Sequence, residues 1–546
     1  ATCVCCACTP SQHLRRRSQA VPFLHARVQK YKIAVASVAP QVLASLAAYY
    51  GTTDLLGVYA RLVTYLKSLG FHHVLDTAVS TELSLLHAAE EFCERWRSAS
   101  SASSPGAGAG TRRSAWQAPP ASTAQSSTSI EWADGVTPPT PAEQAAAEAT
   151  CLPLLASACP GWVCYAEKAV PQALPYVSHT KSPQQIQGTL VKQLLSVDGL
   201  VPGVSHVQTY ASVRSADEVL HVAVMACYDK KLEASRRDFY WERAAAKETD
   251  VVLTTSEIVN LLQEAGVSNL MHLPPSERRG LYARSSSSAP CAPACAKDDD
   301  VMSAAGGGDA PVAEFAWARS AASIPQSALE KLLCGVTCDG AALVGASVLE
   351  TSSDGYAAVI LRYASHRLHG TPLDSAVAIT PGKNVDFREL TIAAPLAASA
   401  AGKAMPPLKF AIAYGFRNIQ TIMTRMRTGK CAYDYVEVMA CPSGCVNGGG
   451  QARGVADESP GTSAASAHAA PAPAAAAANK ERLANMIAQL AAREVRSPWS
   501  SEPCAAVQEA LGVERGVAPL SSALSVLLRT RYHAVPPMQS ASALKW

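Results

Sequence analysis

The chain has 546 residues, enough for two to four domains and more than one sizeable core. Its 47 Lys and Arg against 44 Asp and Glu leave +3, a near-balance that argues against nucleic acid or an anionic membrane as the dominant partner. No run of about 18 apolar residues reads as a membrane span, and no apolar segment with basic flanks opens the chain as a secretory leader. The start at Ala1 rather than at a methionine is read as processing or truncation, with truncation preferred. Seventeen cysteines, an odd number scattered over a large chain, do not match a small disulfide-stapled fold. For any single one, core packing is the default reading.

Three segments are too rich in Ser, Ala, Gly and Pro to bury a core: Ser98 to Ser129, Ser285 to Val312, and Ala452 to Asn479. Between them the elements follow in order. "KIAVASV" (Lys32 to Val38) is a strand, and two helical patterns follow it, the second closing at Gly70 as C′. "HHVLDT" is a short strand, and the helix after it takes its cap from Ser80 or Thr81. This β-α-α-β-α order points to a parallel sheet with covering helices. "CLPLLASACPGW" is an apolar run that stops at Pro160, and a helix starts at Ser182 (N-cap) and Pro183 (N1). "EVLHVAVMAC" is a buried strand, and "DVVLTTSEIVNLLQEAG" is a strand, a cap and a helix in which Glu257 has a structural role. "PPLKFAIAYGF", "RNIQTIMTRMRTGK" and "YDYVEVMAC" repeat strand, helix, strand, and the stretch after residue 479 is helical.

Three of these strands run into a cysteine: Cys159, Cys227 and Cys441, with Cys445 one turn later. Ligands of open α/β sheets bind beyond the carboxyl ends of the strands, so four thiols distant in sequence can converge there. Four thiolates with few N or O donors suit an iron–sulfur cluster or zinc. The Cys-x3-Cys spacing is weak by itself. Cys291/Cys295 and Cys334/Cys338 share it and are read as ordinary thiols. The pair at 441 and 445 differs in context, because "VNGGGQ" follows. Glycines permit positive φ and offer bare N–H groups to a cluster. Lys230 and Lys231, and the helix opened by Arg417 and Asn418, are candidate positive neighbours of such an anionic unit. His72 and His73 are read as packed or solvated side chains.

"SACPGWV" (Ser157 to Val163), "KSPQQ" (Lys181 to Gln185), "VMACYDKKLEASR" (Val224 to Arg236), "VLTTSE" (Val252 to Glu257), "AYGFRNIQ" (Ala413 to Gln420) and "EVMACPSGCVNGGGQ" (Glu437 to Gln451) together resemble the active-site domain of iron-only hydrogenases. They resemble still more closely its eukaryotic non-hydrogenase relatives, the nuclear prelamin A recognition factor-like or cytosolic iron-only hydrogenase-like proteins. The resemblance implies an α/β fold of two lobes, each with a mainly parallel sheet flanked by helices, and a cluster between them. It implies Cys159, Cys227, Cys441 and Cys445 as ligands of a [4Fe–4S] cluster, with Met225 and Lys230 as remnants of the pocket that holds a two-iron unit in hydrogenases. Hydrogenases carry a second, proton-relaying cysteine just before the first ligand. This chain has Ala158 there, whose methyl group can be neither acid nor base.

The family also has a second, ferredoxin-like [4Fe–4S] site. "ATCVCCACT" offers Cys5 and Cys8 for it, with Cys3 or Cys6 as a poor third, and the upstream cysteine has no counterpart. The end "ASALKW" resembles the family's aromatic-ended tail, so Trp546 is the expected docking tag, its carboxylate held by N–H groups and its indole in a pocket. The expected domains are 1–29, the ferredoxin-like remnant; 30–264, the first lobe region, interrupted at 98–129; 265–451, the second, interrupted at 285–312; 452–479, a linker; and 480–546, a helical segment. The implied protein is not an enzyme. It is a carrier in cytosolic iron–sulfur assembly that links the early cluster scaffold to the targeting complex. It works in the cytoplasm, with the nucleus as a second location. The alternative is an iron-only hydrogenase or related redox enzyme.

Overall fold

The computed structural model describes residues 20–101, 148–201, 212–275, 333, 344–345, 355–392, 407–453, 473–495, 497–511 and 522–535. Cys3, Cys5, Cys6, Cys8, Cys291, Cys295, Cys334, Cys338 and Trp546 lie outside these residues. Among the described residues no helix is long and apolar enough to cross a membrane.

The protein is α/β, built on two main sheets. The first has the order β2-β1-β4-β7, all parallel: β1 (Ile33–Val38), β2 (His73–Asp76), β4 (Val219–Met225) and β7 (Val251–Thr254). The second has the order β3-β12-β11-β10-β9. Its β3 (Leu154–Ala156), β12 (Tyr435–Met439) and β11 (Phe410–Tyr414) are parallel, while β10 (Phe387–Thr391) and β9 (Ala378–Pro381) add an antiparallel edge. Among the described residues there are also two small ribbons: β5 (Tyr240–Trp241) with β6 (Ala246–Lys247), and β8 (Val344–Gly345) with β13 (Glu494–Val495). The parallel strands other than the edge strand β7 are buried nearly along their length and read as continuous apolar runs, as sheets covered on both faces do. The chain does not fill the sheets in sequence order. β3 lies within 30–264 yet pairs with β12, 281 residues later at Ala156↔Glu437.

Helices cover both faces of the first sheet. Ala34, Ala36 and Val38 of β1 face α1 (Ala20–Val28), α2 (Pro40–Tyr49), α3 (Leu55–Ser68), α8 (Thr255–Glu264) and α11 (Pro473–Ala491). Val35 and Leu75 face the other layer, α4 (Ala78–Ser101) and α6 (Pro183–Leu195), with α12 (Glu502–Ala510) and α13 (Ser522–Leu528) beyond. In the second sheet Tyr435 and Met439 of β12 pack towards α4 and α9 (Tyr356–His369). Val436 and Val438 point to α5 (Pro160–Ala169) and α10 (Phe416–Arg427). α4 contributes Leu83 and Leu86 to one core and Leu85, Phe92 and Trp96 to another, so it is buried almost all round. It is the wall the two sheets share.

Four local readings change. Pro160 opens a helix rather than ending a run: it stands at N1 of α5, with Cys159 as N-cap. α4 takes its cap from Asp76, whose Oδ1 accepts the Ala78 N–H at 2.9 Å, and Ser80 and Thr81 sit inside the first turn. α11 begins at Pro473, inside the expected linker, and its "AAAAA" stretch has the highest helix propensity available. The second sheet's antiparallel edge was not anticipated. Gly70 (φ +94°), the Ser182/Pro183 start and the Thr254/Glu257 capping box stand as read.

Candidate metal centre

All three cysteine-bearing loops leave the carboxyl ends of parallel strands. β3 ends at Ala156 and Cys159 follows at the start of α5. Cys227 lies between β4 and α7 (Asp229–Ser235), and Cys441 follows β12. Cys445 sits in the single 3-10 turn Gly444–Asn447.

Neighbouring backbone ties these loops together. Ser157 Oγ donates to the Val438 carbonyl and accepts the Cys159 N–H at 3.0 Å, which fixes the first loop on β12. The Ala440 N–H points at Cys159 Sγ from 3.4 Å, and the Gly161 and Trp162 N–H groups at the head of α5 act on the same sulfur. Between Cys441 and Cys445 the chain turns through Ser443 (φ +60°) and Gly444 (φ +69°). The Ser443 N–H is held by Asp386 Oδ1 at 2.7 Å.

The glycine run does something other than the sequence suggested. Gly448 has φ −61°, and its N–H goes to the Cys445 carbonyl at 3.0 Å. Gly450 donates to the Ala226 carbonyl at 3.1 Å. A Cβ on Gly448 would stand 2.4 Å from Ala226 O, and one on Gly450 2.7 Å from Thr254 Cγ2. These glycines seat the Cys445 loop on the Cys227 loop; the Gly450 N–H is spent in that seam and the Gly448 N–H in its own turn.

The four thiols interact electrostatically: Cys159 disfavours the charged form of Cys227, Cys441 and Cys445. Burial pushes all of them up, Cys227 to about 12 and Cys441 to about 11, with Cys159 and Cys445 raised likewise. The Lys230 ammonium opposes this at Cys159, Cys227 and Cys445. Lys230 is 9% exposed and pairs with Glu233 Oε2 at 2.8 Å, and Gln184 Nε2 braces both its carbonyl and Glu233 at 3.2 Å. Lys231 instead turns outward to Glu257 at 2.8 Å. A cavity of about 70 Å³ adjoins Cys227 and Cys445, lined among others by Ala158, Gln184, Met225, Lys230, Tyr356 and Met439. Met225 and Lys230 therefore do share one pocket, and the methyl group of Ala158 faces it.

α10 meets the same region through its N-cap: Gly415 donates to the Met439 carbonyl at 2.8 Å, and a Cβ there would stand 3.5 Å from Pro442 Cγ. Asn418 is engaged with Tyr414 and Asn384 and has a structural role. His72 Nδ1 accepts the Ala34 N–H at 3.0 Å, and His73 is buried within β2. Sequence reasoning missed Ser157, Gln184 and Glu233 as supports of the site. Glu233 carried a usable signal, since its i,i+3 spacing from Lys230 places both on one helix face.

The four candidate donors are sulfur, with the Asp229 carboxylate acting on Cys227 and Cys441 beside them, and among the described residues no three His, Cys, Asp or Glu side chains stand close enough to grip a single metal ion. Four thiols that sense one another at wider spacing fit a polynuclear group, which spreads its ligands over several metals. The fold and site define an α/β protein with a four-cysteine metal-centre candidate at the carboxyl ends of parallel strands from both main sheets.

The chain belongs to the iron-only hydrogenase large subunit, C-terminal domain family, whose model matches residues 32–106 and 142–449. It is 32% identical over 520 residues to the cytosolic Fe-S cluster assembly factor narfl of Danio rerio, covering 94% of this chain and 90% of that one. It is 31% identical over 521 residues to the cytosolic iron-sulfur assembly component 3 of Rattus norvegicus, covering 94% and 77%. Protein NAR1 of Arabidopsis thaliana is 33% identical over 459 residues, covering 82% and 72%. Among solved structures, an apo [FeFe]-hydrogenase HydA1 variant from Chlamydomonas reinhardtii superposes with a TM-score of 0.59 at 21% identity, over 94% of this chain and 99% of that one. That likeness concerns the fold alone.

Proposed function

We propose that the chain is a non-catalytic iron–sulfur protein of cytosolic iron–sulfur cluster assembly. In this reading Cys159, Cys227, Cys441 and Cys445 hold a [4Fe–4S] cluster, which supplies one-electron redox chemistry and transferable iron and sulfide when bound. What supports it is that Cys159, Cys227, Cys441 and Cys445 follow strands of both sheets and interact electrostatically, with the Asp229 carboxylate beside Cys227 and Cys441. Relatives named as assembly factors over most of the chain support the cellular role. Burial keeps the empty site protonated, so loading releases protons, and Lys230 partly offsets the negative charge of the loaded state. Ala158 puts a methyl group, neither acid nor base, on the cavity wall at the position where hydrogenases carry their proton-relaying cysteine, which favours a carrier over a hydrogenase.

Cys5 and Cys8 remain proposed ligands of a second cluster. Trp546 remains the proposed docking tag for the targeting complex, with the early scaffold on the donor side and the cytoplasm and nucleus as sites of work. The test is anaerobic iron and sulfide quantification with EPR on the full chain and on Cys→Ala variants at 159, 227, 441 and 445. Each variant is expected to lose iron and sulfide together by one cluster's worth. A colourless, zinc-loaded wild type would overturn the reading.

A further inference from the structure

The end of the described chain returns to the two helices that start at the thiols. α5 is N-capped by Cys159, and α7 starts two residues after Cys227. Near the thiols they nearly touch: a Cβ on Gly161 would stand 2.8 Å from Asp229 Oδ2. At their far ends a two-pronged ion pair joins them, Arg236 Nη1 and Nη2 donating to Glu167 Oε2 and Oε1 at 2.7 and 2.6 Å. Glu167 is 2% exposed.

Residues 527–535 lie across this junction. Upstream they are pinned to the start of α6, where the Lys181 N–H reaches the Leu528 carbonyl at 2.9 Å and the Lys181 ammonium the Leu527 carbonyl at 2.8 Å. The Thr530 N–H donates to the His179 carbonyl at 2.8 Å. Then the Tyr532 ring lies 5.5 Å from the Arg236 guanidinium carbon. The His533 N–H donates to Glu167 Oε1 at 3.2 Å, and the Val535 N–H to the Glu167 carbonyl at 3.1 Å. His533 and Val535 are otherwise exposed. Tyr532 also packs against the core beside α5, and Arg529, Arg531 and His533 face Glu94, Glu148 and Asp238 at 3.4, 3.8 and 3.7 Å. Solvent-exposed pairs of that length contribute little, so the segment belongs to the less stable part of the fold.

We propose that residues 529–535 are a strap whose hold on the Glu167–Arg236 junction is coupled to occupancy of the thiol centre: loading fastens it and emptying frees the C-terminal end of the chain. The inference rests on the reading that one cluster bridges Cys159 and Cys227. Such a bridge fixes the heads of α5 and α7 relative to each other. Over about 15 Å of α5, a tilt of about 4° at the head moves the far end by about 1 Å, enough to open two hydrogen bonds of this length. The coupling is reciprocal. A partner that draws the C-terminal end away from the junction weakens the grip on the cluster, so docking by the tail and readiness to release the cluster become one equilibrium.

The test compares the full chain loaded anaerobically with the same chain stripped by EDTA and ferricyanide, iron and sulfide being assayed in each sample. Hydrogen exchange of peptides spanning 529–535 is expected to slow by at least about fivefold on loading, the low end of ordinary coupling. Tyr532→Ala and, more conservatively, Arg236→Lys are expected to take up the same iron as wild type but lose it to chelator about fivefold faster. Equal exchange in loaded and stripped chains of verified iron content overturns the strap alone. A wild type that takes up no iron and sulfide overturns the cluster reading and the strap with it.

Discussion

Glu91 lies on α4, buried where the two lobes share a wall, and collects donors from three directions. Arg95 Nη2 reaches it at 2.8 Å, the Ser178 hydroxyl at 2.7 Å and the His179 N–H at 3.0 Å. Burial alone would raise its pKa, but the Arg95, His179 and Arg529 charges and the His179 N–H outweigh it and hold the carboxyl down at about 2. A folded pKa below the unfolded value of about 4.3 gives stability that is full above that value and lost as pH falls towards 2. Glu91→Gln should therefore cost about 3 kcal/mol at pH 7, since it strands the buried Arg95. About half of that difference should vanish by pH 3. Urea titrations of both proteins at pH 7, 5 and 3 measure it, and a pH-independent gap would refute it. A second residue-scale expectation concerns Ala158. Ala158→Cys places a thiol in the cavity without touching the four cysteines, so iron and sulfide per chain should match wild type. Wild type should evolve no hydrogen from reduced viologen.

At the scale of elements, the seam between the Cys445 and Cys227 loops makes a sharp prediction. Gly448→Ala would drive a methyl into the Ala226 carbonyl, whereas Gly449→Ala would meet only the Tyr228 ring at 3.9 Å. The first should lower iron content and cost about 1–3 kcal/mol, and the second should do neither, as iron assay and thermal melting would report. The strand–loop–cysteine grammar was legible because buried parallel strands are unbroken apolar runs, and three of them lead into a cysteine. The seam was not legible. A glycine run announces freedom of conformation and does not say whether that freedom serves a positive φ or a close backbone approach. α9 escaped for a related reason: Tyr356 to Leu361 are all buried, so no polar face marks a helical period. β9 is exposed along its whole length and shows no alternation either. The supports of Lys230 were half legible. Glu233 is a neighbour on its own helix, but Gln184 comes from 46 residues away and only the fold brings it there.

For the whole molecule, the thiols matter because of where they come from. Cys227 hangs from the first sheet, and Cys159, Cys441 and Cys445 hang from the second. A group bound to all four binds only the assembled fold, so it stabilises by mass action. Anaerobic melting of the loaded chain should occur at a higher temperature than that of the stripped chain, and coincident transitions would contradict the arrangement. Since the rivet between the two halves would be inorganic, dioxygen would act on this protein as a slow denaturant. Its lifetime in air would then be set by how fast a cube of iron and sulfide corrodes, and not by the strength of its hydrocarbon interior.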